Sequence, residues 1–194
     1  MNHRRFTPAF ASRSTAHGFT LLELVVVITI ISILVAVALE KLLPYLDAAE
    51  RAAVLRIEGQ LRSALVLVAA ERIARGRSAT ITELEDSNPV NFLAEPPKNY
   101  LGELTNDVLA GVPVRHWYFD GGLRRLVYRL GEPYSRAEST IPREDPAFAV
   151  NVSFVDIDGD GRFEASRDQL YGVHLDRVAG RQWLAGVGNG THGD

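Results

Sequence analysis

The chain has 194 residues with a hydrophobic fraction of 46% and a charged fraction of 23%, which suits one ordinary domain with an additional element but not two full domains. The formal net charge is only -3 and the basic residues form no stripe, so the composition gives no reason to expect nucleic-acid binding. The absence of cysteine excludes disulfides, thiolate zinc sites and cysteine nucleophiles.

The N-terminal segment consists of a basic leader followed by a long apolar run. Residues 1–18 contain three arginines and no acidic residue, and they end at Gly18. From Phe19 the run continues to Leu39, about 21 residues, which as a helix is just long enough to cross the hydrocarbon core of a bilayer. The upstream arginines predict a cytoplasmic N-terminus and a C-terminal domain on the other side of the membrane. A secretory signal would be cut after its apolar core, whereas the plausible cut here precedes the run and keeps it in the mature protein.

A single carboxylate, Glu23, lies one turn into this run. An unpaired carboxylate in lipid is costly, so an ionisable residue inside a membrane segment is a candidate functional site. A plain single-span anchor, which is the simpler alternative, leaves Glu23 unexplained.

The sequence Gly18-Phe19-Thr20-Leu21-Leu22-Glu23-Leu24 resembles the processing motif of prepilins and type II secretion pseudopilins. The resemblance implies that a prepilin peptidase cuts between Gly18 and Phe19 and N-methylates Phe19. It also implies that Glu23 pairs with the α-amino group of a neighbouring subunit. Two opposite charges attract strongly in a low-dielectric layer, whereas either charge alone is penalised, so such pairing would set the register of assembly.

The function expected from this resemblance is that of a structural subunit of a type II secretion pseudopilus or type IV pilus-like filament, and not of an enzyme. Its partners would be other copies and other pilin-like subunits, the prepilin peptidase, the bilayer before assembly, and an inner-membrane platform driven by a cytoplasmic ATPase. The expected location is the bacterial inner membrane with a periplasmic C-terminal domain, and then the filament. The alternative is a membrane-tethered periplasmic calcium-binding or catalytic domain that does not polymerise.

One long helix is predicted from about Phe19 to about Arg75, with Gly76 as its C-terminal stop. Pilins commonly have a kinking proline where Glu40 stands here, and Pro44 follows one turn later, so a bend or local melting is expected between these two residues. Beyond Pro44 apolar residues recur at three- and four-residue spacing and predict a stripe that packs on the following domain. The stripe comprises Leu46, Ala49, Ala53, Ile57, Leu61, Ala64, Leu65 and Val68.

On the opposite face of this helix, acid-to-base pairs at i,i+4 spacing are predicted to lie in solvent. They are Asp47 with Arg51, Glu58 with Arg62 and Glu71 with Arg75. The resulting division is a leader at 1–18, a membrane and assembly helix at 19–43, an amphipathic helix at 44–76 and a globular β-sheet domain at 77–194.

Within the globular domain, residues 78–110 are predicted to form a connection with a short helix near Thr82–Asp86, because prolines and glycines interrupt this region. The hairpin turn signal Asp120-Gly121-Gly122 separates the first two predicted strands. The predicted strands are Val114–Phe119, Leu123–Leu130, Phe148–Ile157 and Leu170–Leu175. The aromatic residues expected in the core are Trp117, Phe119, Tyr128 and Phe154. A long helix packed on a small antiparallel sheet is an α+β fold.

An acidic loop follows the third predicted strand and matches the first half of an EF-hand-type calcium loop, with carboxylates at alternate positions and then a glycine. The candidate ligands are Asp156, Asp158, Asp160, Arg162 through its carbonyl, Glu164 and Asp168. The match fails at Arg167, where an EF-hand has its bidentate Glu, and Asp168 comes one residue late. A plain hairpin turn is the alternative, but close carboxylates repel one another unless a cation neutralises them. Major pseudopilins of type II secretion resemble this pattern, as cysteine-free subunits stabilised by calcium near the C-terminus, so calcium is the expected ligand.

No catalytic residues are predicted. The five histidines are His3, His17, His116, His174 and His192, and none has a partner at metal-ligand spacing. The sequence also contains no nucleophile elbow and no glycine-rich phosphate loop.

Overall fold

The computed structural model describes residues 19–105, 108–136, 138–161, 163–164 and 166–186. A boundary between Glu40 and Lys41 divides the chain into two compact units. In the second unit, the helix packs on a five-stranded sheet with the order β1-β2-β3-β4-β5, so the predicted α+β fold is confirmed. The predicted leader at 1–18 lies outside the described residues.

Helix α1 spans Leu21–Ala74, close to the predicted bounds. Between Leu21 and Leu39 its side chains are exposed all round, and this part is long and apolar enough to cross a membrane. The helix is unbroken through Pro44, so the expectation of local melting there was wrong. A proline removes one backbone hydrogen bond, and the neighbouring bonds keep the chain helical on both sides of it.

The buried stripe of α1 in the second unit agrees with the prediction in its C-terminal part only. Ile57, Leu61 and Leu65 lie in the core as expected. Leu46, Ala49 and Ala53 are exposed, so their assignment to the core was wrong. The buried face is rotated by one residue relative to the predicted stripe. It contains Val54 together with Asp47 and Glu58, whose carboxylates bind the sheet domain.

Two acidic residues of α1 are buried because each has strong partners. Asp47 accepts hydrogen bonds from the amides of Tyr134 and Ser135, at 2.8 and 2.9 Å. The prediction that Asp47 pairs in solvent with Arg51 was therefore wrong, and Arg51 binds Glu138 at 2.5 Å instead. A buried carboxylate is tolerated when hydrogen-bond donors replace the lost water.

Glu58 is the second buried acid of α1, with its side chain 2% exposed. It accepts two hydrogen bonds of 2.8 Å from Arg177 on the last strand. The predicted ion pair of Glu58 with Arg62 also forms, at 2.6 Å, although Glu58 lies in the core and not on a solvated face. The third predicted pair, Glu71 with Arg75, forms at 2.8 Å between exposed side chains.

The connection after α1 contains more structure than predicted. Short 3₁₀ helices span Ser78–Leu84 and Pro89–Phe92, the first of them overlapping the predicted helix. Strand β1, Tyr100–Leu104, was not predicted, because Gly102 and the preceding prolines resemble a loop. A third 3₁₀ turn spans Leu109–Gly111.

The other strands lie close to their predicted positions. They are β2 at Trp117–Asp120, β3 at Arg125–Tyr128, β4 at Ala147–Val155 and β5 at Gln169–Ala179. Strand β1 runs parallel to β2, and the remaining neighbours are antiparallel. A short 3₁₀ turn spans Glu138–Thr140, and helix α2 spans Arg181–Ala185 after β5. The predicted turn is confirmed, because Asp120 accepts hydrogen bonds from the amides of Gly122 and Leu123.

Aromatic side chains fill the core between α1 and the sheet. Trp117, Phe119 and Tyr128 are buried as predicted, and the rings of Trp117 and Tyr128 lie 5.0 Å apart. Phe154 is only partly buried and contacts Phe163 at 5.5 Å near the acidic loop. Burial raises the pKa of the Tyr128 hydroxyl, which donates a hydrogen bond to Glu50 on α1 at 3.1 Å.

Candidate functional site

The start of α1 holds the first candidate site. The Thr20 side-chain oxygen accepts a hydrogen bond from the Glu23 amide at 3.1 Å, and the Thr20 carbonyl accepts one from the Leu24 amide at 3.1 Å. Thr20 is therefore the N-cap of the helix, and Glu23 is its third residue. A Thr followed three residues later by Glu is a helix-start signal that sequence reasoning missed.

Glu23 is the acidic residue at the start of α1. Its carboxylate lies in the first turn, where the helix dipole and the unbonded amides stabilise negative charge. Phe19, which would become the new terminus after cleavage at the predicted bond, directly precedes the capping residue and is exposed. Glu23 therefore lies four residues after Phe19 in the same chain.

The rest of the segment suits a medium without water. Thr29 and Ser32 donate their hydroxyl hydrogens to the carbonyls of Val25 and Ile28, at 2.8 and 2.7 Å, so their polar groups are satisfied inside the helix. Glu23 is the one ionisable side chain between Leu21 and Leu39. A helix of this kind satisfies its polar groups internally and suits lipid. The Glu23 carboxylate is the one group in this part that is costly there.

Comparison with protein families gives an independent assignment of this segment. Residues 13–39 match the family described as the prokaryotic N-terminal methylation motif. This motif is the hallmark of type IV pilin-like and pseudopilin proteins, and the predicted resemblance is thereby confirmed. No curated protein and no solved structure matches the chain.

The methylation motif supports a pilin-like or pseudopilin type of protein. It implies processing by a prepilin peptidase and assembly with other pilin subunits. Together with the long apolar helix, it fits a protein anchored in the membrane by a single span. Gly18 itself lies outside the described residues.

The acidic loop between β4 and β5 holds the second candidate site. Asp156 accepts hydrogen bonds from the amides of Gly159 and Gly161, both at 2.7 Å. These two glycines have φ of +77° and +76°, a conformation that side chains disfavour, and they allow the chain to turn round Asp156. The amide of Gly161 is the main cause that lowers the pKa of the Asp156 carboxyl.

Three predicted ligands come together in this loop. Oxygens of Asp156, Asp158 and Asp168 lie within 4.8 Å of one another. Asp168, which comes late for an EF-hand, is placed there by hydrogen bonds from the amides of Ile157 and Glu164, at 3.0 and 2.6 Å. Sequence spacing alone did not reveal that the loop would fold Asp168 back in this way.

The other predicted ligands lie differently. Asp160 and Glu164 are exposed and are not in the three-residue group, and Arg162 is outside the described residues. Arg167 pairs with Asp158 at 3.1 Å and with Glu164 at 3.5 Å, so a cation already neutralises part of the negative charge. The carboxylate oxygens suit a hard cation such as calcium, which prefers oxygen ligands and would compete with Arg167.

The two described histidines lie outside the acidic group. One ring nitrogen of His116 is 2.8 Å from the Val114 carbonyl, and one ring nitrogen of His174 is 2.9 Å from the Ser153 hydroxyl on the neighbouring strand. His174 is exposed on the outer face of the sheet. His3, His17 and His192 lie outside the described residues.

Proposed function

We propose that this chain is a structural, non-enzymatic subunit of a type II secretion pseudopilus or type IV pilus-like filament. Prepilin peptidase would cut between Gly18 and Phe19, and the apolar part of α1 would then move from the lipid into the filament. The observation that carries the proposal is Glu23, the one acid in the otherwise apolar N-terminal part of α1, inside a methylation motif.

The proposed mechanism follows from the cost of isolated charges. Cleavage creates a positive amine on Phe19, next to the Thr20 cap. The Glu23 carboxylate of one subunit would attract the amine of an incoming subunit. Each charge alone is unfavourable in a low-dielectric layer, and their attraction would offset that cost. The energy for extrusion would come from a separate cytoplasmic ATPase at the inner-membrane platform.

The proposed location is the bacterial inner membrane, with a cytoplasmic leader and a periplasmic second unit, followed by the filament. The three arginines before the apolar run support this orientation. A processed subunit needs the bilayer before assembly, because the side chains between Leu21 and Leu39 are exposed on every side of the helix.

Substitution of Glu23 tests the proposal. Glu23→Val should leave membrane insertion and cleavage intact but prevent filament assembly. Glu40→Val is the matched control, because Glu40 is the next carboxylate along the same helix and follows the apolar run. Filaments sheared from cells that express the full assembly machinery would be quantified. A normal yield from the Glu23 variant would refute the proposed role.

A calcium ion in the acidic loop is a further part of the proposal and favours the pseudopilin over the pilus subunit. The convergence of Asp156, Asp158 and Asp168 supports it. The ion would tie the end of β4 to the start of β5 and stabilise the second unit. The competing function is that of a membrane-tethered domain that does not polymerise. On that account no filament forms, and Glu23→Val leaves the second unit and its activity unchanged.

A further inference from the structure

The end of the second unit at which α1 enters carries side chains that the fold leaves uncovered. Lys41, Leu42, Tyr45 and Leu46 are all exposed, Tyr45 at 72%. None of them belongs to the two clusters of buried residues that form the core of the described chain. The first α1 side chain that the sheet domain buries is Asp47. Two leucines and a tyrosine therefore face the surroundings of the single subunit.

The loop after β3 is held at the same level of the helix. The amides of Tyr134 and Ser135 donate hydrogen bonds to Asp47 at 2.8 and 2.9 Å. Helical side chains lean toward the N-terminus of their helix, so the Asp47 carboxylate lies over the turn that precedes it, which holds Tyr45. Tyr134 and Arg136 are both exposed. The loop thus adds an aromatic and a basic side chain to this end of the unit.

Further contacts fix the position of this loop. The Arg115 guanidinium lies over the Tyr134 ring, 4.6 Å from its centre. Arg115 also donates hydrogen bonds to the Glu50 carboxylate on α1 at 3.2 Å and to the Glu132 carbonyl at 2.9 Å. A surface that is ordered before it binds loses little conformational entropy on binding. The loop and the helix therefore form one preformed surface.

The composition and height of this surface suit the headgroup layer of a bilayer. Tyrosine is enriched at membrane interfaces, because its ring is apolar and its hydroxyl is polar. The headgroup layer is roughly 5–7 Å deep on each side of the hydrocarbon core. Tyr45 comes four residues after Lys41, a rise of about 6 Å, so both fit into one such layer. The apolar run that ends at Leu39 brings lipid to this end of the unit.

The local charges are balanced and suit a zwitterionic lipid. Lys41 and Arg136 have no hydrogen bond or ion pair with another described residue. Glu40, directly before Lys41, and Glu132 are exposed acids near the two bases. A zwitterionic headgroup offers a phosphate to the bases and a positive amine to the acids. A cluster of basic residues would instead select anionic lipid.

We propose that this end of the second unit docks on the zwitterionic headgroup layer of the bilayer from which α1 emerges. The docking surface, called the entry surface, consists of Lys41, Leu42, Tyr45, Leu46, Tyr134 and Arg136. The inference rests on the membrane stage of the proposed function and names the part of the second unit that lipid covers at that stage. Transfer into a filament would then have to strip headgroups from the entry surface as well as acyl chains from the apolar run.

Fluorescence quenching tests the proposal in the full chain, which has no natural cysteine. Each single-cysteine variant would carry an NBD label and be reconstituted in phosphatidylcholine vesicles that contain a lipid with a spin label on its headgroup. Labels at Leu46→Cys and Glu132→Cys should be quenched; neither substitution removes a basic or aromatic group. Val66→Cys is the control, because Val66 is 61% exposed and lies about 30 Å of helix beyond Leu46, and it should stay unquenched.

The outcomes separate the helix, the loop and the membrane anchor. Quenching at Leu46→Cys without quenching at Glu132→Cys would overturn the docking of the second unit, and so would equal quenching at Val66→Cys. A label at Ile31→Cys, within the apolar run, should be quenched by a lipid that is spin-labelled on its acyl chain. Failure there would refute the membrane anchor of the proposed function, and this inference with it.

Removal of the tyrosines gives a second readout. Tyr45→Ser with Tyr134→Ser should abolish the quenching at Glu132→Cys, and Tyr45→Ser alone should weaken it. Tyr45 has no hydrogen bond to another described residue, so the single variant should keep the fold, which circular dichroism would check. Tyr171→Ser is the matched control, because Tyr171 is 73% exposed on β5, and it should leave the quenching unchanged. Full quenching in the double variant, or equal losses with Tyr171→Ser, would refute the entry surface.

Discussion

The ion pair of Glu58 with Arg177 offers the sharpest test of how α1 is held on the sheet. Glu58 is buried, and its two oxygens accept separate hydrogen bonds of 2.8 Å from one guanidinium. Arg177→Met would leave this carboxylate buried with only Arg62 as its charged partner. Removal of one partner of a fully buried pair costs about 3–5 kcal/mol. Because Arg177 is about one-third exposed, solvent screening reduces the expected loss to about 2 kcal/mol.

The assay is thermal unfolding of the full chain in mild detergent, followed by circular dichroism. For a chain of this size, about 2 kcal/mol corresponds to a fall in Tm of roughly 4–8 °C. The double variant Glu58→Met with Arg177→Met should regain much of this loss, because apolar residues of similar volume often replace a buried pair without cost. A Tm unchanged by Arg177→Met, or a double variant less stable than the single one, would contradict this account of the pair.

Three further predictions concern the two candidate sites. Thr20→Val removes the N-cap acceptor but keeps the shape of the side chain, so the start of α1 should lose about 1 kcal/mol of stability. The loss should be seen as faster amide hydrogen exchange at Glu23 and Leu24. Thr20→Ser keeps the hydroxyl and should behave as the unsubstituted chain. Calcium should raise the Tm of the full chain, and Asp156→Asn with Asp158→Asn should abolish the shift; an equal calcium response in the double variant would exclude the loop. The pKa of Asp156 lies below its ordinary 3.8, so its stabilisation of the loop is complete above about pH 4 and is lost as the pH falls through the lowered value. In a pH titration followed by the NMR signals of the loop amides, Asp156→Asn should abolish the change at low pH. The same titration curve in the variant would contradict the assignment to Asp156.

The sequence was most informative where one physical requirement dominates. A long run without charge, broken once by Glu23, predicted the helix, which the structure confirms, and also marked Glu23 as a candidate assembly residue. The hairpin at Asp120 was equally clear, because Asp-Gly-Gly favours a tight turn between two apolar strands.

Sequence periodicity failed where two faces of one helix are apolar. The pattern contains Leu46, Ala49 and Ala53 as well as Val54, and hydrophobicity alone cannot say which set faces the sheet. The contacts that decide the orientation are polar, because Asp47 binds two amides and Glu58 binds Arg177. These partners lie far away in sequence, so no local pattern could reveal them.

Other parts of the fold and of the acidic loop depended on long-range geometry. Strand β1 contains Gly102, with φ of +93°, and pairs with β2 at an irregular register, so its short pattern resembles a loop. In the acidic loop, alternate spacing correctly grouped Asp156 with Asp158. It also suggested Asp160, whereas the fold brings Asp168 to the group through hydrogen bonds from the loop backbone.

The N-terminus of the protein extracted from membranes is the most direct measure of whether the chain is a processed filament subunit. In cells that make the prepilin peptidase, mass spectrometry should find a chain that starts at Phe19 with one added methyl group on its α-amine. A chain that still carries residues 1–18 in those cells would contradict the assignment, because a blocked amine could not pair with Glu23 of a neighbour.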